Sequence, residues 1–266
     1  MRLLLAFLVS LSALPALACG PDSDCVVGDR TYRLYVPEAA PQPMPVLLFA
    51  HGYRGSAAAE MRNKALLKMA DDMGIAIVAM KSAEEDWALA HTPQAPERPD
   101  AMEYDYVDAV LADVAGRVKV DADRIVMSGF SAGGMMTWTM ACGMADRFRG
   151  FVPMSGTFWA PVPETCDAPP RNLVHIHGTE DTTVPLNGRA IGATRQGEVE
   201  RALAIYAQRG GFSRKGDVDG PDGMTCRQAT NADSRILDFC TFKGGHGFSV
   251  ARLRYGIEQV LAAPPP

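Results

Sequence analysis

Ile125-Val126-Met127-Ser128-Gly129-Phe130-Ser131-Ala132-Gly133-Gly134-Met135 is the stretch on which the fold turns. An apolar run reads as a strand, the run from Met135 through Met140 reads as a helix, and G-x-S-x-G joins them in a tight turn. In that setting the central serine sits at a strained backbone angle, its hydroxyl projecting above the sheet. Side chains two residues before and after it would collide, so Gly129 and Gly133 are required there. The pentapeptide alone is a common turn sequence, and its meaning depends on partners elsewhere in the chain.

Working outward, the chain alternates apolar strand-like runs with helical periods. Val26-Val27, a Gly28-Asp29 turn and Thr31 to Val36 predict a hairpin. Pro41, Pro43 and Pro45 make a stiff connector. Val46 to Ala50 is continuously apolar, as a strand covered on both faces must be, and it runs directly into His51-Gly52-Tyr53-Arg54-Gly55. Ala57 to Met73 predicts a helix stopped by Gly74, and Ile75 to Met80 a second buried strand. Lys81 to Arg98 has no period and predicts a long loop. Val107, Val110, Leu111, Val114 and Val118 recur at helical spacing within Tyr104 to Val118. Further strands are expected at Phe151 to Met154, Leu173 to His177 and Arg235 to Phe242. Helices are expected at Val199 to Gln208 and Ser249 to Leu261, followed by a tail from Ala262 to Pro266. Strand and helix alternating throughout predict an α/β fold, with a mostly parallel sheet, helices on both faces and no large lid domain.

The 266 residues, 47% of them hydrophobic, suit one domain with a sizeable core. Met1-Arg2, the apolar run Leu3 to Leu17 and the small-x-small Ala16-Leu17-Ala18 predict a signal peptide over 1–18, with one α/β domain at 19–266. The run is too short to span a membrane. A lipoprotein signal with Cys19 as the lipidated residue is the competing reading, against which Ala16 stands where a leucine is expected. The mature chain keeps 25 basic and 31 acidic residues, with no basic stripe for nucleic acid. Six cysteines in an exported chain point to three disulfides, and sequence order suggests Cys19–Cys25, Cys142–Cys166 and Cys226–Cys240 among the possible connectivities. The absence of C-x-x-C argues against redox catalysis and zinc.

A serine hydroxyl becomes a useful nucleophile when an imidazole accepts its proton, and the imidazole needs a carboxylate to fix its tautomer. Ser131 at the turn, Asp181 after the strand ending at His177, and His246 after the strand ending at Phe242 occur in the order serine, acid, histidine, each at a strand exit. Glu180 is a rival acid beside Asp181. The developing oxyanion needs two donors at about 3 Å. Ala132 N–H is one, and Tyr53 N–H, after the sharp turn at Gly52, is the other. His51 is expected to bond backbone beside that site. Trp87 and Trp159 are candidate substrate platforms, with core or loop packing as the plainer reading. His175 and His177 share a strand face but lack a third ligand, so packing and hydrogen bonding are expected of them rather than metal.

Taken together, His51-Gly52-Tyr53-Arg54-Gly55, Val120-Asp121-Ala122-Asp123-Arg124-Ile125 leading into Gly129 to Met135, His175-Ile176-His177-Gly178-Thr179-Glu180-Asp181, and Gly244-Gly245-His246 resemble the secreted polyhydroxybutyrate depolymerase and feruloyl esterase group of α/β-hydrolases. The resemblance spans nearly the whole mature chain. It implies a secreted or periplasmic serine esterase with a Ser131, Asp181, His246 triad and no cofactor, and it supports the Cys142–Cys166 and Cys226–Cys240 pairings. Two departures stand out. Gly247-Phe248-Ser249 replaces the aromatic and proline common after the histidine, and a separate polymer-binding module is not expected. The expectation is hydrolysis of feruloyl-type or short hydroxyalkanoate esters through an acyl-serine, with an ester substrate as partner, no nucleic acid, no stable membrane insertion and the oligomeric state open. A peptidase of the prolyl-oligopeptidase type and a catalytically silent binding protein are the alternatives from other classes.

Overall fold

The computed structural model describes residues 19–93 and 100–264. The expected signal segment 1–18, the end of the loop expected over Lys81 to Arg98, and the last two residues of the tail lie outside the described residues. In chain order the elements are β1 (Cys25–Val27), β2 (Arg30–Tyr35), β3 (Met44–Ala50), α1 (Ala57–Glu60), α2 (Lys64–Met73), β4 (Ala76–Met80), α3 (Ala101–Arg117), β5 (Val120–Phe130), α4 (Ala132–Gly143), β6 (Gly150–Met154), β7 (Asn172–Gly178), β8 (Ala190–Ile191), β9 (Thr194–Arg195), α5 (Val199–Gly210), β10 (Ser213–Asp219), β11 (Met224–Thr230), β12 (Ile236–Phe242) and α6 (Val250–Ala262).

Ten of these strands form one sheet in the order β1-β2-β4-β3-β5-β6-β7-β12-β11-β10. From β4 to β12 neighbouring strands run parallel. The two edges are antiparallel, with β1 and β2 on one side and β11 and β10 on the other. The continuous apolar runs have the cause proposed for them: every residue of β3, β4, β6 and β7 is buried. Alternate residues feed two cores. Val46, Leu48 and Ala50 of β3 pack with Val107 and Val110 of α3 and with Met136 and Trp138 of α4. Leu47 and Phe49 pack with Leu66 of α2 and Ile257 of α6. Helices therefore cover both faces, and each fully buried Leu or Phe contributes on the order of 2–3 kcal/mol.

Two expectations are corrected. The single helix over Ala57 to Met73 is two: Met61 to Asn63 break it, because Asn63 leaves helical geometry and its side chain accepts the Leu66 N–H, so capping a new helix outcompetes continuing the old one. Alternation of strand and helix also fails after α5, where β10, β11 and β12 form an antiparallel meander. Almost all of β10 is exposed, so it has no buried face to imprint an apolar period. Its Arg, Lys and Asp residues suit an edge strand that must not recruit another.

The three disulfides pair Cys19 with Cys25, Cys142 with Cys166 and Cys226 with Cys240. Cys226 and Cys240 stand directly opposite in the β11–β12 register. No described helix is long and apolar enough to cross a membrane, and no large lid is present among the described residues.

Candidate active site

β3, β5, β7 and β12 all deliver their following loops to the carboxyl edge of the parallel sheet, the edge at which α/β sites collect. At the exit of β5, Ser131 takes φ 60° and ψ −118°, a conformation that L-residues avoid. Its N–H donates to Met154 O at 2.9 Å, and its carbonyl accepts the Met135 N–H at 3.0 Å, which starts α4. A Cβ on Gly133 would run into the carbonyl of Ala50, and one on Gly129 into that of Gly133. The glycines thus serve close approach of α4 to β3 and β5.

At the exit of β7, Asp181 is 5% exposed and fully used. Its Oδ1 accepts the N–H groups of Thr183 and Val184, each at 2.8 Å. Its Oδ2 accepts from His246 Nδ1 at 2.7 Å, across 65 residues of chain. Burial alone would raise the Asp181 carboxyl. Hydrogen bonds from His177, His246 and Val184 outweigh it and hold the group well below the usual carboxylate range. Glu180, the rival acid, is exposed. The Phe130 ring, next to the serine, packs on the His246 ring with centroids 4.7 Å apart. No hydrogen bond joins the Ser131 hydroxyl to His246 among the described residues. Such contacts commonly close only when substrate is bound. Phe248 occupies the departure after the histidine, packing on Phe130 and Phe49.

At the exit of β3, His51 is buried. Ser82 N–H donates to its Nε2 at 3.2 Å, so the ring proton sits on Nδ1 and is donated to Gly52 O at 2.7 Å. Burial lowers the His51 pKa to about 4, so the ring is neutral. Trp87 is corrected here. It is 1% exposed, its ring packs on His51 and its Nε1–H donates to His51 O at 2.9 Å, so it supports the turn and does not line the cleft that holds Ser131. Tyr53 by contrast is 45% exposed, its hydroxyl donating to Glu85 Oε2 at 3.0 Å.

Ser131, Ala132, Tyr53 and Trp159 line one cleft of about 300 Å³, with Met135, Val184 and Ile191 adding apolar wall and Arg189, Gln196 and Asp86 adding polar groups. Arg189, whose Nε donates to Thr183 O at 2.6 Å, ties this wall to the acid loop. Burial raises the Asp86 carboxyl to about 6. The sequence reading missed Asp86, Arg189 and the lining role of Met135. It also missed Glu103, which is fully buried, accepts the Ala88 N–H at 2.7 Å and pairs with Arg30 at 3.1 Å, anchoring the loop after β4. A glutamate on the apolar face of α3, in phase with Val107, Val110 and Val114, was the available signal. His175 and His177 face neither cleft nor solvent and bond one another at 3.0 Å.

Residues 93–195 match the family model described as Phospholipase/Carboxylesterase. The putative esterase NocK of Nocardia uniformis subsp. tsuyamanensis is 32% identical over 253 residues, 84% of this chain and 72% of that protein. A probable feruloyl esterase C of Aspergillus terreus is 28% identical over 145 residues, which cover 53% of this chain and 48%, about half, of that relative. An acetyl xylan esterase from Aspergillus awamori superposes with a TM-score of 0.68 at 13% identity, covering 90% of this chain and 98% of that one, a likeness of fold. Sheet order, the serine turn and these relatives agree: the chain belongs to the carboxylesterase-type family of α/β-hydrolases.

Proposed function

We propose that this chain is an exported serine esterase in which Ser131 attacks the ester carbonyl, His246 takes the hydroxyl proton and passes it to the leaving alcohol, and Asp181 holds the imidazole with its Nδ1 proton inward. Water, activated by His246, then releases the acid from the acyl-serine. The N–H groups of Ala132 and Tyr53 take the oxyanion. The observation that carries this reading is the 2.7 Å His246–Asp181 bond at the sheet edge where Ser131 holds its strained turn. A preorganised imidazole–carboxylate pair at the sheet edge that also carries a strained serine suits acyl transfer.

Within the cleft, the Trp159 face and the Met135, Val184 and Ile191 walls suit a compact acyl group, a feruloyl-type ring or a short hydroxyalkanoate. The feruloyl esterase relatives support the first of these. Three disulfides suit an oxidising compartment reached after removal of residues 1–18. The test is a panel of chromogenic feruloyl, acetyl and 3-hydroxybutyryl esters with matched amides, assayed on wild type and Ser131→Ala. Ester turnover lost in the variant, with amides inert throughout, is the expected result. Turnover surviving in Ser131→Ala would sink the mechanism, and comparable amide hydrolysis would make the chain a peptidase.

A further inference from the structure

Behind Asp181 lies a chain of hydrogen bonds that the ester chemistry above does not use. Trp138 of α4 and His175 and His177 of β7 are all completely buried. Trp138 Nε1 approaches His175 Nδ1 at 3.1 Å, His175 Nε2 approaches His177 Nδ1 at 3.0 Å, and His177 Nε2 lies 2.7 Å from Val184 O and 3.4 Å from Asp181 Oδ2. An indole nitrogen can only donate. His175 Nδ1 must therefore accept, and the proton of the neutral ring stands on Nε2. That proton goes to His177 Nδ1, which leaves the His177 proton on Nε2, aimed at the acid loop. A carbonyl can only accept, so both ends of the chain are fixed and every link has one direction. Burial, with the neighbouring His177 ring adding to it, holds His175 far below the ordinary imidazole range and so neutral.

We propose that Trp138, His175 and His177 form a tautomer-locking relay that positions the triad acid, the indole dictating through two imidazole rings, each accepting at Nδ1 and donating at Nε2, that one N–H is always presented to the Asp181–Val184 loop. The proposal rests on Asp181 and His246 being triad members. His177 is a positioning residue: it touches Asp181 and Val184, not substrate. Its N–H ties Val184 O, while Val184 N–H and Thr183 N–H hold Asp181 Oδ1. The loop is thereby closed on itself, with Oδ2 turned to His246. A ring with the opposite tautomer would set a bare nitrogen against the Val184 carbonyl and the carboxylate, repelling both.

Two measurements test this. In the intact wild-type protein at pH 8, nitrogen-15 NMR of the imidazoles is expected to show the His175 and His177 protons on Nε2, with Nδ1 bare in both. A proton on Nδ1 of either ring overturns the relay. In steady-state assays, His177→Leu is expected to lower kcat at least tenfold with KM within about twofold, whereas His177→Gln, which keeps an N–H near the Nε2 position, returns kcat to within about threefold of wild type. Equal kcat in the two variants, or kcat and KM moving together, overturns it as well. Should His177→Leu fail to fold, the wild-type tautomers decide alone. Failure of the underlying triad is recognisable separately, because Ser131→Ala would then retain activity while the ring protons stayed where the relay puts them.

Discussion

Two buried tryptophan–histidine pairs lie beneath the two loops that carry the proposed machinery, and they are wired differently. Under the loop after β3, the Trp87 indole donates to the backbone carbonyl of His51, and the His51 ring is oriented by Gly52 O and Ser82 N–H. Under the loop after β7, the Trp138 indole donates to the His175 ring itself. In the first case the tryptophan fixes where the chain goes; in the second it fixes where a proton sits. The difference follows the tasks proposed for the two loops. The Tyr53 N–H is presented by backbone alone, so a correctly turned peptide suffices. Asp181 must receive His246 in one orientation, so the protons around it have to be specified.

The comparison breaks most visibly if either buried ring rivals His246 in effect. His246→Ala is expected to lower kcat by roughly 10⁴–10⁶-fold, as loss of a catalytic base does, with the smaller effect on melting temperature because the partly exposed side chain leaves a space through which water reaches Asp181 Oδ2. The His51→Ala variant is expected to do the reverse, costing about 2–4 kcal/mol of stability for a lost buried ring and an orphaned Ser82 N–H, while kcat falls by roughly 10–10²-fold through the loosened oxyanion loop. Urea denaturation and single-turnover assays on both variants check the crossing. A His51→Ala enzyme as dead as His246→Ala would mean that His51 takes part in the chemistry.

Acid sharpens the same contrast. His51 has a lowered pKa in the fold, about 4 against an ordinary 6.5, so the unfolded chain binds the extra proton first. The stability that neutral His51 confers is complete above pH 6.5 and is lost as pH falls from there towards 4, a cost on the order of 2–3 kcal/mol. Asp181, also depressed, acts with the same sign but further into acid, below the ordinary carboxylate range. Urea midpoints between pH 8 and 4 are expected to fall in that window, and His51→Asn, which cannot take up the proton, to flatten the upper part of the decline. An unchanged slope in the variant would assign the loss to other groups.

Much of this candidate site was legible in the sequence because its positions are set by strong local rules. Glycines that no side chain can replace flank Ser131, and Asp181 and His246 follow buried apolar runs whose ends are plain. What escaped was decided by tertiary context. Trp87 lies in a segment without regular structure, and nothing in its neighbours tells which way an indole in a loop will point. β11 alternates buried Met224 and Cys226 with exposed Thr225 and Arg227, too briefly to stand out, and β10 buries almost nothing. The direction of the imidazole chain needed three side chains from two elements, placed by the fold alone.

The smallest expected effect concerns the outer surface of the same loop, the one proposed to present the Tyr53 N–H. Tyr53 hydroxyl and Arg54 Nε both donate to Glu85 Oε2 at 3.0 Å, and the guanidinium lies over the Tyr53 ring, 5.0 Å from its centroid. All three groups face water, where long side chains lose entropy on pairing and salt screens the charge. The same loop is also fastened by backbone, through Arg54 N–H to Glu85 O at 2.7 Å, which no side-chain exchange removes. Glu85→Gln is therefore expected to change kcat/KM by less than about threefold, and wild-type activity to be nearly flat between low and high salt. A tenfold loss, or a steep salt dependence abolished by the substitution, would show that the exposed clamp and not the buried Trp87–His51 pair holds the oxyanion loop, and the contrast between the two tryptophans would lose its catalytic meaning.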